Sequence, residues 1–267
     1  PESREASLAW RRMAEARFSQ GDTAGALADL ERGAGLKGAI WKEETLQCRL
    51  RMGEMLAEAG RMEEAVRVFE ELASENIKWT QAQDAHLRLA SAAQRMGRPE
   101  AAEEWLTRLI SREDSCEWRV ILEARKELWK SNLRRRNIEQ GLEMWKRTLG
   151  RAEARNDSEI IRAVLLQHLN ALLDAWRETR SQRHLTSAEH TAFRLWQQYQ
   201  SSDEGGEGLI ALAEIYWEQG RRKDSFQILE RQISEAVTAS ENLKIKVYEK
   251  LAELALRNGD EEEAASY

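Results

Sequence analysis

The sequence predicts an all-α fold, a right-handed α-solenoid of about seven antiparallel helix pairs whose last pair is truncated. Three observations support this prediction. Helix-breaking residues are scarce, with 15 glycines and 2 prolines in 267 residues. The rest of the chain is rich in Ala, Leu, Glu and Arg, which favour helix. Glycines also recur at a nearly constant interval, which indicates a repeated helix–turn–helix unit.

Six short segments align on one turn position, which is glycine in five of them. Glycine ends a helix because it adopts the left-handed conformation without strain. The interval of 84 residues is about twice the others, so one further unit is expected between Arg136 and Gly220. The turn positions are Gly21, Gly60, Gly97, Arg136, Gly220 and Gly259, at spacings of 39, 37, 39, 84 and 39 residues.

A small residue follows each turn position by five residues, and in the first five segments aligned a bulky residue follows by nine. Residues four apart are neighbours on a helix surface, so both are expected on the buried face of each second helix. The small residues are Ala26, Ala65, Ala102, Gly141, Ser225 and Ala264, and the bulky ones are Leu30, Phe69, Leu106, Trp145 and Leu229.

Three tryptophans show a further period. Trp41, Trp79 and Trp118 lie 19, 18 and 18 residues before their turn positions. We interpret them as side chains that pack each first helix onto the preceding pair, and a partner-facing aromatic ledge is the alternative.

The fifth unit, at roughly 157–201, departs from the pattern. Its first helix is expected to run long through residues 160–176, and the polar stretch 177–190 stands in place of the glycine. Ala192, Trp196 and Tyr199 then restore an apolar helix face, and the polar segment 201–208 is predicted to be a flexible linker. We therefore expect one solenoid domain over residues 1–267, with hinges at 178–187 and 201–208.

The first helices carry a small residue seven positions before the turn, preceded by a bulky one. With this feature the chain resembles the tetratricopeptide repeat family over nearly its whole length. The period exceeds the ~34 residues usual for that family, and is closer to the long-period arrays of kinesin light chains, Pins-type adaptors and MalT-type regulators. The family pattern is met by Trp10, Met52, Gly53, Gly60, Ala65, Phe69, Tyr216 and their equivalents.

Composition argues against several classes of partner. The formal net charge is −6 and the two signs are finely mixed. Nucleic-acid-binding proteins usually need a positive footprint on the phosphates, so no nucleic-acid partner is predicted. No apolar stretch is long enough to cross a bilayer, so no membrane insertion is predicted either.

The sequence shows no pattern typical of catalysis. Cys48 and Cys116 are far apart and lack ligand spacing, so buried thiols are expected in place of a zinc site or a disulfide. His184 and His190 are six residues apart, whereas metal-binding pairs on a helix face are three or four apart. The glycines of 204–208 lack the spacing of a phosphate loop. We predict no enzyme activity, no cofactor and no metal site.

The resemblance implies a groove lined by the first helices, and it assigns a set of positions to that groove. The middle of the groove is expected to be basic and its C-terminal end acidic. The positions are Leu8, Arg11, Glu15 and Phe18; Gln47, Leu50, Glu54 and Glu58; Asp84, Leu87, Ser91 and Arg95; Glu123, Lys126, Lys130, Leu133 and Arg134; and Glu207, Ile210, Glu214, Trp217 and Glu218.

The candidate binding residues in this groove are basic ones of the third and fourth units. Lys126, Lys130 and Arg134 recur every four residues and form one row along a helix, flanked by Leu133, with Arg95 expected beside it. Such a row would hold an acidic peptide or a chain-terminal carboxylate. The alternative is a solvated face, because glutamates three residues before Lys126 and Lys130 would form ordinary surface pairs.

The predicted function is that of a scaffold for protein–protein interactions, binding a protein or peptide of unknown identity along the groove. The alternative is a sensory or regulatory segment of a larger signalling or transcription-regulating protein. The chain begins at Pro1, and we expect it to be a fragment of a longer protein. A cytoplasmic location is favoured, with export to the periplasm as the alternative.

Overall fold

The computed structural model describes residues 4–35, 42–74, 79–235 and 241–267. These residues form fourteen α-helices and a single 3₁₀ turn at Glu113–Ser115, with no β-strand among them. The predicted all-α solenoid of helix pairs is confirmed, and α14 has only six residues. The helices are α1 (Arg4–Ser19), α2 (Thr23–Ala34), α3 (Lys42–Glu58), α4 (Met62–Ser74), α5 (Trp79–Arg95), α6 (Pro99–Ser111), α7 (Trp118–Arg134), α8 (Ile138–Arg155), α9 (Ser158–Thr179), α10 (Gln182–Gln198), α11 (Asp203–Glu218), α12 (Arg222–Glu235), α13 (Glu241–Asn258) and α14 (Glu261–Ser266).

The chain divides into two compact units, Pro1–Ser131 and Asn132–Tyr267. In the first unit α1, α3 and α5 each pack against the even-numbered helix that follows, and they also contact one another in order. In the second unit α9, α11 and α13 form an equivalent row, with α8, α10, α12 and α14 packed against it. Each unit therefore has a row of odd-numbered helices backed by even-numbered ones. That both units form one domain stays a prediction.

All six turn positions named from the sequence adopt the left-handed conformation, with φ between 60° and 86°. At Gly60 the N–H donates to the carbonyl of Ala57 at 3.2 Å, and the next N–H, of Arg61, donates to Leu56 at 2.8 Å. The other five turns repeat these bonds to the third and fifth preceding residues. This is the Schellman arrangement, which satisfies the last carbonyls of a helix and reverses the chain.

The turn also explains the small residue five positions later. The N–H of Ala65 donates to the carbonyl of Arg61, and this bond begins the second helix in every one of the six segments. Ala26, Ala65 and Ser225 are completely buried, where the second helix meets the first. The bulky residues nine positions after the turns are at most 2% exposed. The contact is close, because a Cβ added to Gly53 would lie 2.5 Å from Cε1 of Phe69.

The fifth unit contains the long first helix that was predicted, since α9 has 22 residues. Its turn residue is Arg180, with φ 53°, which lies 44 residues after Arg136 and 40 before Gly220. The Thr179 hydroxyl donates to the Ala175 carbonyl and accepts the N–H of Ser181 at 3.2 Å. The Thr179 side chain therefore takes part in this turn, in place of the pair of backbone bonds that closes the other six.

Two expectations for this region are corrected. The polar stretch 177–190 is helical apart from Arg180 and Ser181, because α10 already begins at Gln182. The prediction of a linker at 201–208 is wrong for its last six residues, which form the start of α11. This helix is capped by a hydrogen bond from the Gly205 N–H to the Ser202 hydroxyl. Hinge motion at 178–187 and 201–208 stays a prediction.

The glycines at the start of α11 allow close packing. A Cβ on Gly205 would lie 2.0 Å from the carbonyl oxygen of Tyr199, and one on Gly206 would lie 2.4 Å from Leu243. The polar, glycine-rich composition of 201–208 suggested flexibility. The same residue types are needed where the start of a helix packs closely against its neighbours. Of the three periodic tryptophans, Trp118 is partly buried at the start of α7, while Trp41 and the side chain of Trp79 lie outside the described residues.

Ala65→Leu should destabilise the fold by about 1–3 kcal/mol, because Ala65 has no room at the crossing of α3 and α4. Thermal or denaturant unfolding measures the change. The control is Ala16→Leu on the exposed face of α1, which should leave stability almost unchanged. An Ala65→Leu curve that overlays the parent would contradict the packing register.

Arg136→Gly should raise the stability by up to about 1 kcal/mol, because a left-handed residue with a Cβ is strained by roughly that amount. The reverse change, Gly60→Ala, should cost about 1 kcal/mol from the backbone alone, since nothing lies within 4 Å of the added Cβ. Arg135→Gly, one residue before the left-handed position, is the control and should not stabilise. Equal effects of the two Arg→Gly changes would show that the turn is unstrained.

Candidate partner-binding surface

The odd-numbered helices of the first unit face two adjoining cavities, of ≈340 Å³ and ≈420 Å³. The first is lined from α1, α3 and α5 and the second from α3, α4 and α5, and Glu54 and Arg88 belong to both. Twelve groove positions were expected on α1, α3 and α5, and nine of them line the two cavities. They are Arg11, Glu15, Gln47, Leu50, Glu54, Glu58, Asp84, Ser91 and Arg95.

An arginine that the resemblance did not assign to the groove organises the charges of this surface. Arg51 donates to both carboxylate oxygens of Glu15, at 2.5 and 2.9 Å, and so joins α3 to α1. Its remaining nitrogen donates to Glu54 at 3.1 Å and to Glu58 at 3.0 Å. The hydrogen bonds to Glu15 raise the pKa of Arg51, and the bond from Arg51 lowers the pKa of Glu15. The three carboxylates are thus held in place around one guanidinium.

A second arginine continues the network onto α5, since Arg88 lies 2.7 Å from Glu54. The family pattern points at other positions and misses both arginines. A sequence signal was nevertheless present, because Arg51 precedes Glu54 and Glu58 by three and seven residues, which places all three on one helix face.

Besides Arg11, two charged groups of the same surface form no hydrogen bond or ion pair with the described part of the chain. One is Arg95, exposed at the end of α5. The other is Asp84, whose pKa is raised because burial penalises its charged form, although Arg119 and Arg88 partly oppose this. The floor between the charged groups is apolar, with Leu50, Phe69 and Ala92 all buried. The surface therefore offers an apolar strip with two cations, Arg11 and Arg95, and the carboxylate of Asp84 available to a ligand.

On α7, Lys126 pairs with Glu123 at 2.7 Å and Lys130 with Glu127 at 2.6 Å, as the solvated-face alternative expected. Leu133 is partly buried and Arg134 exposed. The structure groups Arg95 with Glu54, Glu58 and Arg88 around the larger cavity. That the row on α7 binds a partner stays a prediction.

The acidic end expected for the groove is neutralised by α13. Lys246 bonds Glu207 at 2.5 Å, and Arg257 bonds Glu214 at 2.7 Å and Glu218 at 2.8 Å. Lys250 also contacts Glu214. Lys246 and Arg257 follow Glu207 and Glu218 by 39 residues, one repeat period, so charges of opposite sign one period apart were the signal for this pairing.

Two of the three histidines of the second unit, His168 and His184, have side chains in the interior. His184 is buried in α10, with Nδ1 2.9 Å from the Thr179 hydroxyl and Nε2 3.0 Å from Glu139 of α8. His168 lies in α9, and its Nδ1 is buried without a hydrogen-bond partner among the described residues. Burial, and then the charge of Lys146, lowers the pKa of His168 to about 4.

Because the folded protein holds His168 neutral while the unfolded chain takes up its proton near pH 6.5, the unfolded state binds more protons between these values. Stability should be complete above pH 6.5 and fall by up to about 3 kcal/mol as the pH drops towards 4. Unfolding of His168→Asn across this range should lack that part of the loss. The exposed His190→Asn should retain it, and identical pH profiles for both variants would contradict the burial of the His168 imidazole.

Among the described residues, no helix has the length and apolar character needed to span a membrane. No curated protein matches the sequence. The tetratricopeptide repeat family model matches residues 56–117. This stretch covers the end of α3, all of α4, α5 and α6, and the connection to α7.

Solved structures show the same fold. A tetratricopeptide repeat protein from Parabacteroides merdae aligns over 98% of this chain and 90% of its own, with 14% identity and a TM-score of 0.51. Tetratricopeptide-like repeats of a kinesin light chain-type protein from Podosopora anserina align over 73% of this chain and 97% of theirs, with 16% identity and a TM-score of 0.51. Residues 56–117 therefore match the tetratricopeptide repeat family model, and the chain shares the fold of solved tetratricopeptide repeat proteins.

Proposed function

We propose that this chain is a scaffold for protein–protein interactions and that it binds a peptide segment of its partner along α1, α3 and α5. The observation that carries the proposal is the pair of cavities that adjoin at Glu54 and Arg88. Their volumes, ≈340 and ≈420 Å³, suit several side chains of a bound segment. Stacked helix pairs commonly use such a face for binding, because it is extended and rigid.

The charges of the face suggest which segment it binds. The Arg51 guanidinium is fully engaged with carboxylates of α1 and α3, so it stiffens the surface and is not available to a ligand. Arg95 is exposed and forms no ion pair with the described residues, so an acidic side chain of the partner would gain a charge-assisted hydrogen bond there. Asp84 would accept a hydrogen bond from a donor in the same segment, with an apolar residue between the two over Leu50 or Phe69.

The row on α7 remains a proposed second contact of the same partner. Lys126 and Lys130 would have to exchange their glutamates for an acidic group of the ligand. Exposed i,i+3 pairs of this kind contribute only a few tenths of a kcal/mol, so the exchange costs little.

Arg95→Glu should reduce capture of the partner roughly tenfold or more, because a hydrogen bond between charged groups is replaced by repulsion. The measurement is quantitative affinity capture from a cell lysate, followed by titration of the captured protein against the variants. The control is Arg67→Glu on α4, an equally exposed arginine that lies outside both cavities.

The double change Lys130→Glu and Arg134→Glu tests the row on α7 in the same experiment. Circular dichroism should show unchanged helicity in every variant, since the altered side chains are exposed. If Arg95→Glu captures the same proteins in the same amounts as Arg67→Glu, the α1–α3–α5 face is not the binding surface.

A further inference from the structure

A cavity of ≈330 Å³ lies in the second unit between α8 and α10, over α9. We refer to it as the α8–α10 cavity. It uses even-numbered helices for its walls and shares no residue with the surface proposed above to bind a peptide. Its size is at the lower end of the range for small-molecule sites.

The positive charges of this cavity have no hydrogen-bond or ion-pair partner among the described residues, whereas its negative charges are paired. Lys146 of α8 and Arg183 of α10 line it, and neither forms a hydrogen bond or ion pair with the residues that the structure describes. Glu139 is held by His184 at 3.0 Å. Glu143 accepts a hydrogen bond from Nε of Arg147 at 3.1 Å. The cavity therefore presents two cations with no internal counter-charge committed to them.

His168 also lines the cavity, and it carries a polar atom that lacks a hydrogen-bond partner among the described residues. Nδ1 of His168 is buried and forms no hydrogen bond within the described ranges. The ring is neutral at physiological pH, because burial lowers the pKa of His168 to about 4. A buried group of this kind gains when a ligand supplies the missing hydrogen bond.

Two leucines form the apolar part of the remaining wall, to which Ser187 also contributes. Leu142 of α8 and Leu172 of α9 line the cavity and are almost fully buried in the fold. His184 bridges the end of α9 to α8 through Thr179 and Glu139, so the three helices that form the walls are tied to each other. A ligand would meet a cavity whose shape already exists.

We propose that the α8–α10 cavity binds a small organic anion, with its carboxylate or phosphate between Lys146 and Arg183, a hydrogen bond to His168 Nδ1, and its apolar body against Leu142 and Leu172. Lysine and arginine both recognise such oxyanions by charge-assisted hydrogen bonds. The proposal does not depend on the peptide-binding function, since its residues belong to the other compact unit.

The test uses the full chain and three probes of similar shape: benzoate, phenyl phosphate and uncharged benzamide. Calorimetry at low salt gives the affinities, and thermal unfolding with each probe gives an independent shift. We expect one or both anions to bind at millimolar concentration or below, and benzamide not to bind. Tighter binding of phenyl phosphate identifies a phosphate ligand, and tighter binding of benzoate identifies a carboxylate.

Lys146→Ala and Arg183→Ala should each weaken anion binding roughly tenfold or more. Both side chains are exposed, so the variants should melt like the parent without ligand. The control is Lys223→Ala, an exposed lysine on α12 that is not part of the cavity, and it should bind as the parent does. The proposal is overturned if neither anion binds, or if all three variants bind with one affinity.

Discussion

The left-handed residue at the end of each first helix is the constraint on which the rest of the structure depends. At the six turns named from the sequence it closes the helix with two backbone hydrogen bonds, and the next helix begins three residues before a small residue. The second helix can then approach the first so closely that Phe69 covers Gly53 without room for a methyl group. Repetition at a period near 39 residues places α1, α3 and α5 side by side, and their adjacent faces form the two cavities.

The same period also governs the surface charge. Residues one repeat apart lie on neighbouring odd-numbered helices, so Glu207 meets Lys246 and Glu218 meets Arg257. Such exposed pairs contribute little to stability. The charged groups without a partner in the described structure are therefore informative. Arg95 and Asp84 in the first unit, and Lys146 and Arg183 in the second, are the ones on which binding is proposed.

The helix pairs were predictable because a local pattern marks each of them. A left-handed glycine is followed by a small residue five positions later and a bulky residue nine positions later. The turn of the fifth repeat was harder to predict, because Thr179 and Arg180 stand there in place of glycine. Neither residue type marks a turn in sequences generally. The segment 203–208 was predicted as part of a linker. Its glycines are needed for close packing against Tyr199 and Leu243, and the sequence does not show that these residues lie against them. The groove positions came from the family resemblance, but Arg51 and Arg88, which order its charges, follow from contacts between helices that one sequence does not display.

The central claim is that the chain is an array of repeated helix pairs whose left-handed turns are equivalent positions. Deletion of a single period tests this claim most directly. Removing residues 61–97 joins Gly60 to Arg98, so that α3 meets α6 with Ala102 in the place of Ala65 and Leu106 in the place of Phe69. The account predicts a shorter protein with unchanged helicity per residue and a cooperative unfolding transition. Removing residues 61–78 instead takes out α4 alone, joins two first helices, and should abolish cooperative unfolding. Equal damage from the two deletions, measured by circular dichroism during thermal unfolding, would contradict the account.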